Sequence, residues 1–186
     1  LEGLGVLQPS VVIRALQDPS PGVRENGVKL SEALAGDAGV RSALYALRDE
    51  ENAKVRFQLL CTLGSLDTPE SARVREQLLF RDLDDPWVQV AALSAARLAK
   101  GELLNAVLSR FDQKIPAHAS LVERLSTMTG AGGTPAEVRS VVGRALQPEK
   151  GRPGDWQAAV LRGLAQGLKN NGTALAALGA DRQLLV

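Results

Sequence analysis

Apolar positions in the first hundred residues recur with the spacing of amphipathic helices, and the helices themselves recur with a fixed period. Three stretches begin with a polar residue, reach a valine three positions later and continue as an apolar helix. The valines are Val23, Val55 and Val88, at nearly equal intervals along the chain. Self-similarity at a period of about 20–50 residues is typical of solenoids, in which each repeat is one small supersecondary unit. The pattern therefore predicts stacked helix pairs.

The residues around each valine predict where the second helix of each pair begins and which face it buries. Ser20, Asn52 and Asp85 can each offer a side-chain oxygen to the free amides of the first turn. Residues 4, 5, 8 and 11 positions after each valine lie on one face of a helix. These residues are Gly27, Val28, Ser31 and Leu34, then Leu59, Leu60, Leu63 and Leu66, then Ala92, Leu93, Ala96 and Ala99.

The remaining helices are predicted from apolar periodicity and from proline at helix starts. No segment alternates with the period of a strand. The predicted segments are Pro9 to Gln17, Ala38 to Arg48, one opening at Thr68, Glu102 to Phe111, Pro116 to Thr129, one from a capping box at Thr134 to Leu146, Asp155 to Leu168, and a fragment near Thr173 to Leu178. We expect an all-α superhelix of about five antiparallel pairs. We expect this superhelix to form a single domain over 1–186, with regular repeats over about 9–100 and irregular helix pairs over about 101–186.

Composition narrows the choice of partners. Aromatic residues make up only 3%, and 22 basic residues nearly balance 21 acidic ones, which argues against nucleic-acid binding. No apolar run approaches a membrane span of about 18 residues, so no direct membrane insertion is expected. The single cysteine, Cys61, is predicted to be a small buried hydrophobe. The chain starts without methionine at Leu1, and we expect it to be a fragment of a longer protein.

The motif Leu16-x-Asp18-x4-Val23-Arg24 recurs as Leu47-x-Asp49-x5-Val55-Arg56 and, weakened, as Leu83-x-Asp85-x2-Val88-Gln89. It resembles the HEAT repeat, especially the short bacterial form. The resemblance implies a ladder of hydrogen bonds and ion pairs between neighbouring repeats. The ladder would be formed by Asp18, Arg24, Asp49, Arg56 and Asp85. Gln89 replaces the third arginine, so that rung is expected to be neutral or absent.

A narrower resemblance involves Leu1-Glu2-Gly3-Leu4-Gly5 and the stretch from Leu16 to Asn26. Together they look like the HEAT segment of large exported bacterial proteins, which join a dehydrogenase-like propeller to a c-type cytochrome domain. This resemblance implies a periplasmic or exported parent; without it, the compartment stays open. No Cys-x-x-Cys-His haem motif occurs in this chain.

Candidate chemistry is sparse. His118, the single histidine, is predicted to be a polar surface or capping residue, because no nucleophile elbow accompanies it. Gly130-Ala131-Gly132-Gly133 is predicted to be a flexible turn, since it lacks the end of a phosphate loop. The aspartates Asp82, Asp84 and Asp85 and the run Asp49-Glu50-Glu51 suit caps and turns better than a calcium loop. We therefore expect no catalytic, cofactor-binding or metal-binding residues.

Trp87 and Trp156 each occupy the first turn of a second-row helix. Sealing the seam between repeats is the favoured interpretation, and a binding anchor is the alternative, because tryptophan is enriched in hot spots. The expected function is a non-catalytic scaffold for protein or interdomain contacts. Alternatives are a structural spacer within a multidomain exported protein and a HEAT-fold enzyme such as a DNA glycosylase or lyase, which the balanced charge disfavours.

Overall fold

The computed structural model describes residues 7–95, 100–147 and 154–172, and the described residues are all-α, without strands. They form ten α-helices and two short 3-10 helices, Ser31–Leu34 and Leu47–Asp49. The α-helices are α1 (Pro9–Leu16), α2 (Pro21–Leu30), α3 (Ala38–Ala46), α4 (Ala53–Leu63), α5 (Pro69–Arg81), α6 (Pro86–Ala95), α7 (Lys100–Ser109), α8 (Pro116–Gly132), α9 (Pro135–Ala145) and α10 (Asp155–Asn170). The predicted fragment near Thr173 to Leu178, together with Ala96 and Ala99, lies outside the described residues.

The chain divides into two compact units, Leu1–Arg97 and Leu98–Val186. In the first unit α1 packs on α2, and α5 packs on α6. Corresponding helices of neighbouring pairs also contact each other. The second helices pack in the order α2, α4 and α6, and the first helices in the order α1, α3 and α5. The first unit therefore contains two rows of helices, one formed by the first members of the pairs and one by the second members.

The predicted apolar face of the second row forms the core of the first unit. Leu59, Leu60 and Leu63 of α4 are buried, and so are Val28 of α2 and Ala92 of α6. Gly27, Ser31 and Leu66 are buried as well, whereas Leu34 and Leu93 are only partly buried, so the predicted register is confirmed except at those two described positions. The valines themselves differ, because Val55 and Val88 are buried and Val23 of α2 is 40% exposed.

Two of the three predicted repeat caps are confirmed. The Asn52 side chain accepts from the amides of Lys54 and Val55, and Asp85 Oδ1 accepts from the Trp87 amide at 2.8 Å. The prediction for Ser20 is wrong, because its side chain makes no cap hydrogen bond. The Val23 amide donates instead to the Ser20 backbone carbonyl at 3.1 Å, so no side-chain acceptor is needed.

In the second unit α7 packs on α8 and α9 on α10, and the most extensive contact joins α8 to α10. A Cβ at Gly163 would meet the Glu123 carbonyl oxygen at 2.2 Å, and one at Gly167 would meet that of Thr127 at 2.1 Å. Residue numbers increase together along both helices, so α8 and α10 run parallel. The absence of side chains at these glycines lets the two backbones approach closely.

Most of the glycine-rich stretch after Thr129 is helical, and only its last residue, Gly133, lies in the predicted turn before α9. α8 continues to Gly132, which places Gly130 inside the helix and against α10. A Cβ at Gly130 would meet the Leu164 carbonyl oxygen at 2.6 Å, so this glycine serves helix packing. The capping box predicted at Thr134 is confirmed, since Thr134 and Glu137 exchange hydrogen bonds at the start of α9. No helix among the described residues has the length and apolar character needed to cross a membrane.

Candidate functional site

Two arginines in the first turns of α2 and α4 make the same contacts one helix pair apart. Arg24 donates from Nε and Nη2 to the two carboxylate oxygens of Glu50, at 2.8 and 2.7 Å. Arg56 donates in the same way to Asp82, at 2.6 and 2.7 Å. Each acid lies 26 residues after its arginine, just beyond the first helix of the next pair. Such two-point pairs are strong and directional, so they fix how neighbouring pairs sit.

A third contact recurs in all three helix pairs of the first unit. The second-row side chain donates to a backbone carbonyl six residues earlier, at 2.8, 3.1 and 2.9 Å. The pairs are Arg24 with Asp18, Arg56 with Glu50, and Gln89 with Leu83. Gln89 keeps this backbone contact without a charge, and its Oε1 is buried with no partner among the described residues. We call this set of contacts the arginine ladder.

The carboxylates of the arginine ladder differ from the predicted ones. Asp18 contributes its carbonyl, while its side chain accepts from the Ser20 amide. Asp49, which ends a 3-10 turn, contacts Arg48 at the surface and accepts an exposed hydrogen bond from Gln77 of α5 at 2.7 Å. Asp85 caps α6. The 3-10 turn directs Asp49 outward and the next residue, Glu50, inward. The sequence does contain a signal for the true partners, because an acidic residue follows each of the two arginines at the same separation.

Electrostatics mark the ladder as a structural feature. Glu50 is only 8% exposed. The hydrogen bond from Arg24 lowers the pKa of Glu50, against the opposing effect of burial. The same contact raises the pKa of Arg24. Both shifts favour the charged forms, so the ion pair stabilises the contact between neighbouring helix pairs.

An apolar groove lies between α4 and α6 on the surface of the first unit. It is a concavity of about 450 Å³, lined chiefly by Phe57 and Cys61 of α4 and by Trp87, Val90 and Ala91 of α6. Trp87 is 71% exposed, Val90 43% and Phe57 37%. We call this concavity the aromatic groove. The expectation that Trp87 seals a seam between repeats is wrong, because most of its indole is in solvent.

Cys61 lines the aromatic groove and is exposed, which corrects its predicted burial in the core. Its position six residues after Val55 is on the outer side of α4, whereas the buried positions are four, five and eight residues after that valine. Neighbouring side chains still shield the sulfur from part of the solvent, and this desolvation, together with the negative charge of Glu32, raises the pKa of the Cys61 thiol. The side chain is therefore a neutral thiol at physiological pH and contributes apolar surface.

A second concavity, of about 280 Å³, adjoins the aromatic groove and shares Phe57 as a wall. Its other apolar walls are Ala53 and Val88, and its charged lining consists of Arg81, Asp82, Asp84 and Asp85. We call it the acidic concavity. The Asp82 charge is engaged by Arg56. Asp84 and Asp85 form no ion pair within the part of the chain that the structure describes.

Trp156, the other predicted anchor, lies in the second unit and is only partly exposed. It lines a cavity of about 160 Å³ together with Leu104, Val141 and Arg144. Arg144 donates to the Asn105 side chain at this cavity. The two tryptophans therefore occupy different surroundings: Trp87 stands in solvent, and Trp156 forms the wall of a small, mixed-polarity cavity.

The remaining chemical candidates have structural surroundings. His118 is buried, so the surface alternative is wrong. The capping alternative stays, because the His118 Nδ1 accepts from the Asp112 amide at 2.7 Å just before α8. Its ring lies 5.9 Å from that of Phe111. It thus closes the turn before α8. Within residues 7–95, 100–147 and 154–172, no group of three histidine, cysteine or acidic side chains is placed to hold a metal ion.

Comparison of the chain with protein-family models, with curated proteins and with solved structures finds no match in any of the three. The resemblance to HEAT repeats therefore depends on the residues of this chain alone, and its function has to be inferred from the surfaces described above.

Proposed function

We propose that this chain is a HEAT-like helical-repeat module without catalytic activity, which binds a segment of another protein, or of a flanking domain of its own parent chain, in the aromatic groove. Exposure of Trp87 beside Phe57 and Val90 carries the proposal. A contiguous exposed apolar patch on a soluble protein marks an interaction site more often than scattered apolar residues do. Aromatic anchors of this kind supply much of the binding energy in interfaces.

The packing of the first unit supports a solenoid of HEAT type. Its helices contact one another in two rows, with α2, α4 and α6 in the row that bears the groove. The arginine ladder repeats with the same period as the helix pairs, from Arg24 to Arg56. Each repeat in such an array contacts only its neighbours, so the stack supplies a continuous surface for partners.

The size and lining of the aromatic groove suit apolar side chains of a protein segment. Its volume of about 450 Å³ exceeds what a single large apolar side chain needs. Its rim includes small residues, Gly64 and Ser65 at the end of α4 and Ser94 on α6, which allow a backbone to approach. A protein segment, carrying one or two apolar side chains, is the occupant that fits these features best.

Selection from a randomised peptide display library tests the proposal. The full chain is the target, and the Trp87→Ser variant is used for counter-selection. We expect enriched sequences that bind the wild-type chain at least about ten-fold more tightly than Trp87→Ser. Equal unfolding free energies for the two proteins would show that the loss is local. Failure to enrich any peptide that depends on Trp87 would refute the proposed function.

A structural spacer is the alternative that this experiment addresses. A spacer depends on the arginine ladder for rigidity and has no need of an exposed tryptophan. It therefore predicts that Trp87→Ser and the wild-type chain select the same peptides, or none.

A further inference from the structure

The acidic concavity gives the aromatic groove a second point of recognition. We infer that the groove recognises a segment in which an apolar side chain is next to an arginine or a lysine, with the basic side chain in the acidic concavity. The inference rests on the proposed function and names the chemistry of the partner.

Two differently lined concavities adjoin each other on this surface. The aromatic groove, of about 450 Å³, and the acidic concavity, of about 280 Å³, both use Phe57 as a wall. Adjacent side chains of one bound segment could therefore enter both. Phe57 would contact the apolar side chain on one side and the stem of its neighbour on the other.

The lining of the acidic concavity suits a long basic side chain. Ala53, Phe57 and Val88 supply apolar walls, against which lysine and arginine stems pack while their charged ends remain in water. Asp84 and Asp85 then provide carboxylates at the same site. Trp87 lies two residues after Asp85, and the face of its exposed indole ring also attracts cations.

The charge balance favours a cation. Asp82 is already engaged by the two-point contact with Arg56, so it does not count toward an incoming ligand. Two carboxylates, of Asp84 and Asp85, remain beside one guanidinium, of Arg81. An acidic peptide or an anionic lipid surface would be repelled by the remaining negative charge, whereas a basic side chain would neutralise it.

The library selection described above tests the inference through the composition of the Trp87-dependent peptides. We expect arginine or lysine next to an apolar residue in most of them. Trp87-dependent peptides without this enrichment would overturn the inference and leave the proposed function standing. Absence of any Trp87-dependent peptide would refute the proposed function itself, so the two failures are distinguishable.

A charge-removal variant then tests the location of the basic side chain. The double variant Asp84→Asn with Asp85→Asn removes both charges, and asparagine still caps α6. We expect about five-fold weaker binding of a selected basic peptide at low salt, with the difference shrinking as salt rises. The exposed Glu102 of the second unit gives a single-charge control, Glu102→Gln, which should bind like wild type. Equal binding by the double variant and the wild-type chain would overturn the assignment.

Discussion

Close packing between α8 and α10 gives the most specific stability prediction. In Gly167→Ala the new Cβ would lie 2.1 Å from the Thr127 carbonyl oxygen and 2.8 Å from the Ala131 amide nitrogen. Both atoms belong to the backbone of α8, so no side-chain rotation relieves the contact. The backbone of α8 must therefore move away from α10 until both of these atoms lie about 3.4 Å from the new Cβ, the distance at which ordinary van der Waals contact begins.

The size of the effect follows from two opposing terms. Alanine is favoured over glycine inside a helix by about 1 kcal/mol, whereas overpacking a closely packed contact costs about 1–3 kcal/mol and occasionally more. Because the obstacle is backbone, we expect the upper part of that range and a net loss of about 1–2 kcal/mol in unfolding free energy.

Gly143 of α9 provides the control, because a Cβ there meets nothing within 4 Å. Gly143→Ala should therefore raise the unfolding free energy of the second unit by about 0.5–1 kcal/mol. Urea unfolding followed by Trp156 fluorescence, in a Trp87→Phe background, reports on the second unit. A Gly167→Ala chain as stable as Gly143→Ala would refute the close approach of α8 and α10.

The remaining predictions concern the first unit. Glu50→Ala should lower its unfolding free energy by about 3 kcal/mol, because Arg24 keeps its backbone acceptors but loses its carboxylate in a largely buried place. Asp49→Ala loses only an exposed hydrogen bond from Gln77 and a surface contact with Arg48, and should cost less than about 1 kcal/mol; similar losses in urea titrations would contradict the assignment of Glu50. The pKa of Glu50 is lowered by folding, so the stability that its charge contributes is present above the unfolded-state pKa and is lost as the pH falls through the folded-state pKa. The stability difference between wild type and Glu50→Gln should accordingly begin to shrink below about pH 4, where a glutamate of the unfolded chain takes up its proton. A difference that stays constant as the pH falls below that value would oppose this linkage. Leu60→Ala should cost about 2–5 kcal/mol, since Leu60 is fully buried, and a loss below about 1 kcal/mol would show that its contacts are misassigned.

Much of the helical order could be predicted because its signals are local. Prolines and caps mark where helices begin, as at Thr134, and apolar spacing marks the buried face of α4. The fate of Gly130 could not be predicted in this way, because a glycine that allows two helices to approach looks the same in sequence as one that ends a helix. Only the contact with α10 distinguishes the two cases.

The candidate site was harder to predict than the fold. Trp87 could be identified from its residue type, but its exposure depends on the neighbours that α4 and α6 present, which no local pattern specifies. The acids that pair with the ladder arginines, Glu50 and Asp82, also differ from the predicted ones because their positions depend on local backbone geometry. A single 3-10 turn before Glu50 exchanges the inward and outward positions of adjacent carboxylates.

The emission of Trp87 tests the central claim most directly. In a Trp156→Phe chain, Trp87 is the sole tryptophan, and its exposed indole should emit at the wavelength of a solvated side chain. Titration with a selected peptide should shift that emission to shorter wavelength, saturably and with the dissociation constant measured independently. Saturable binding that leaves the Trp87 emission unchanged would contradict a partner seated in the aromatic groove.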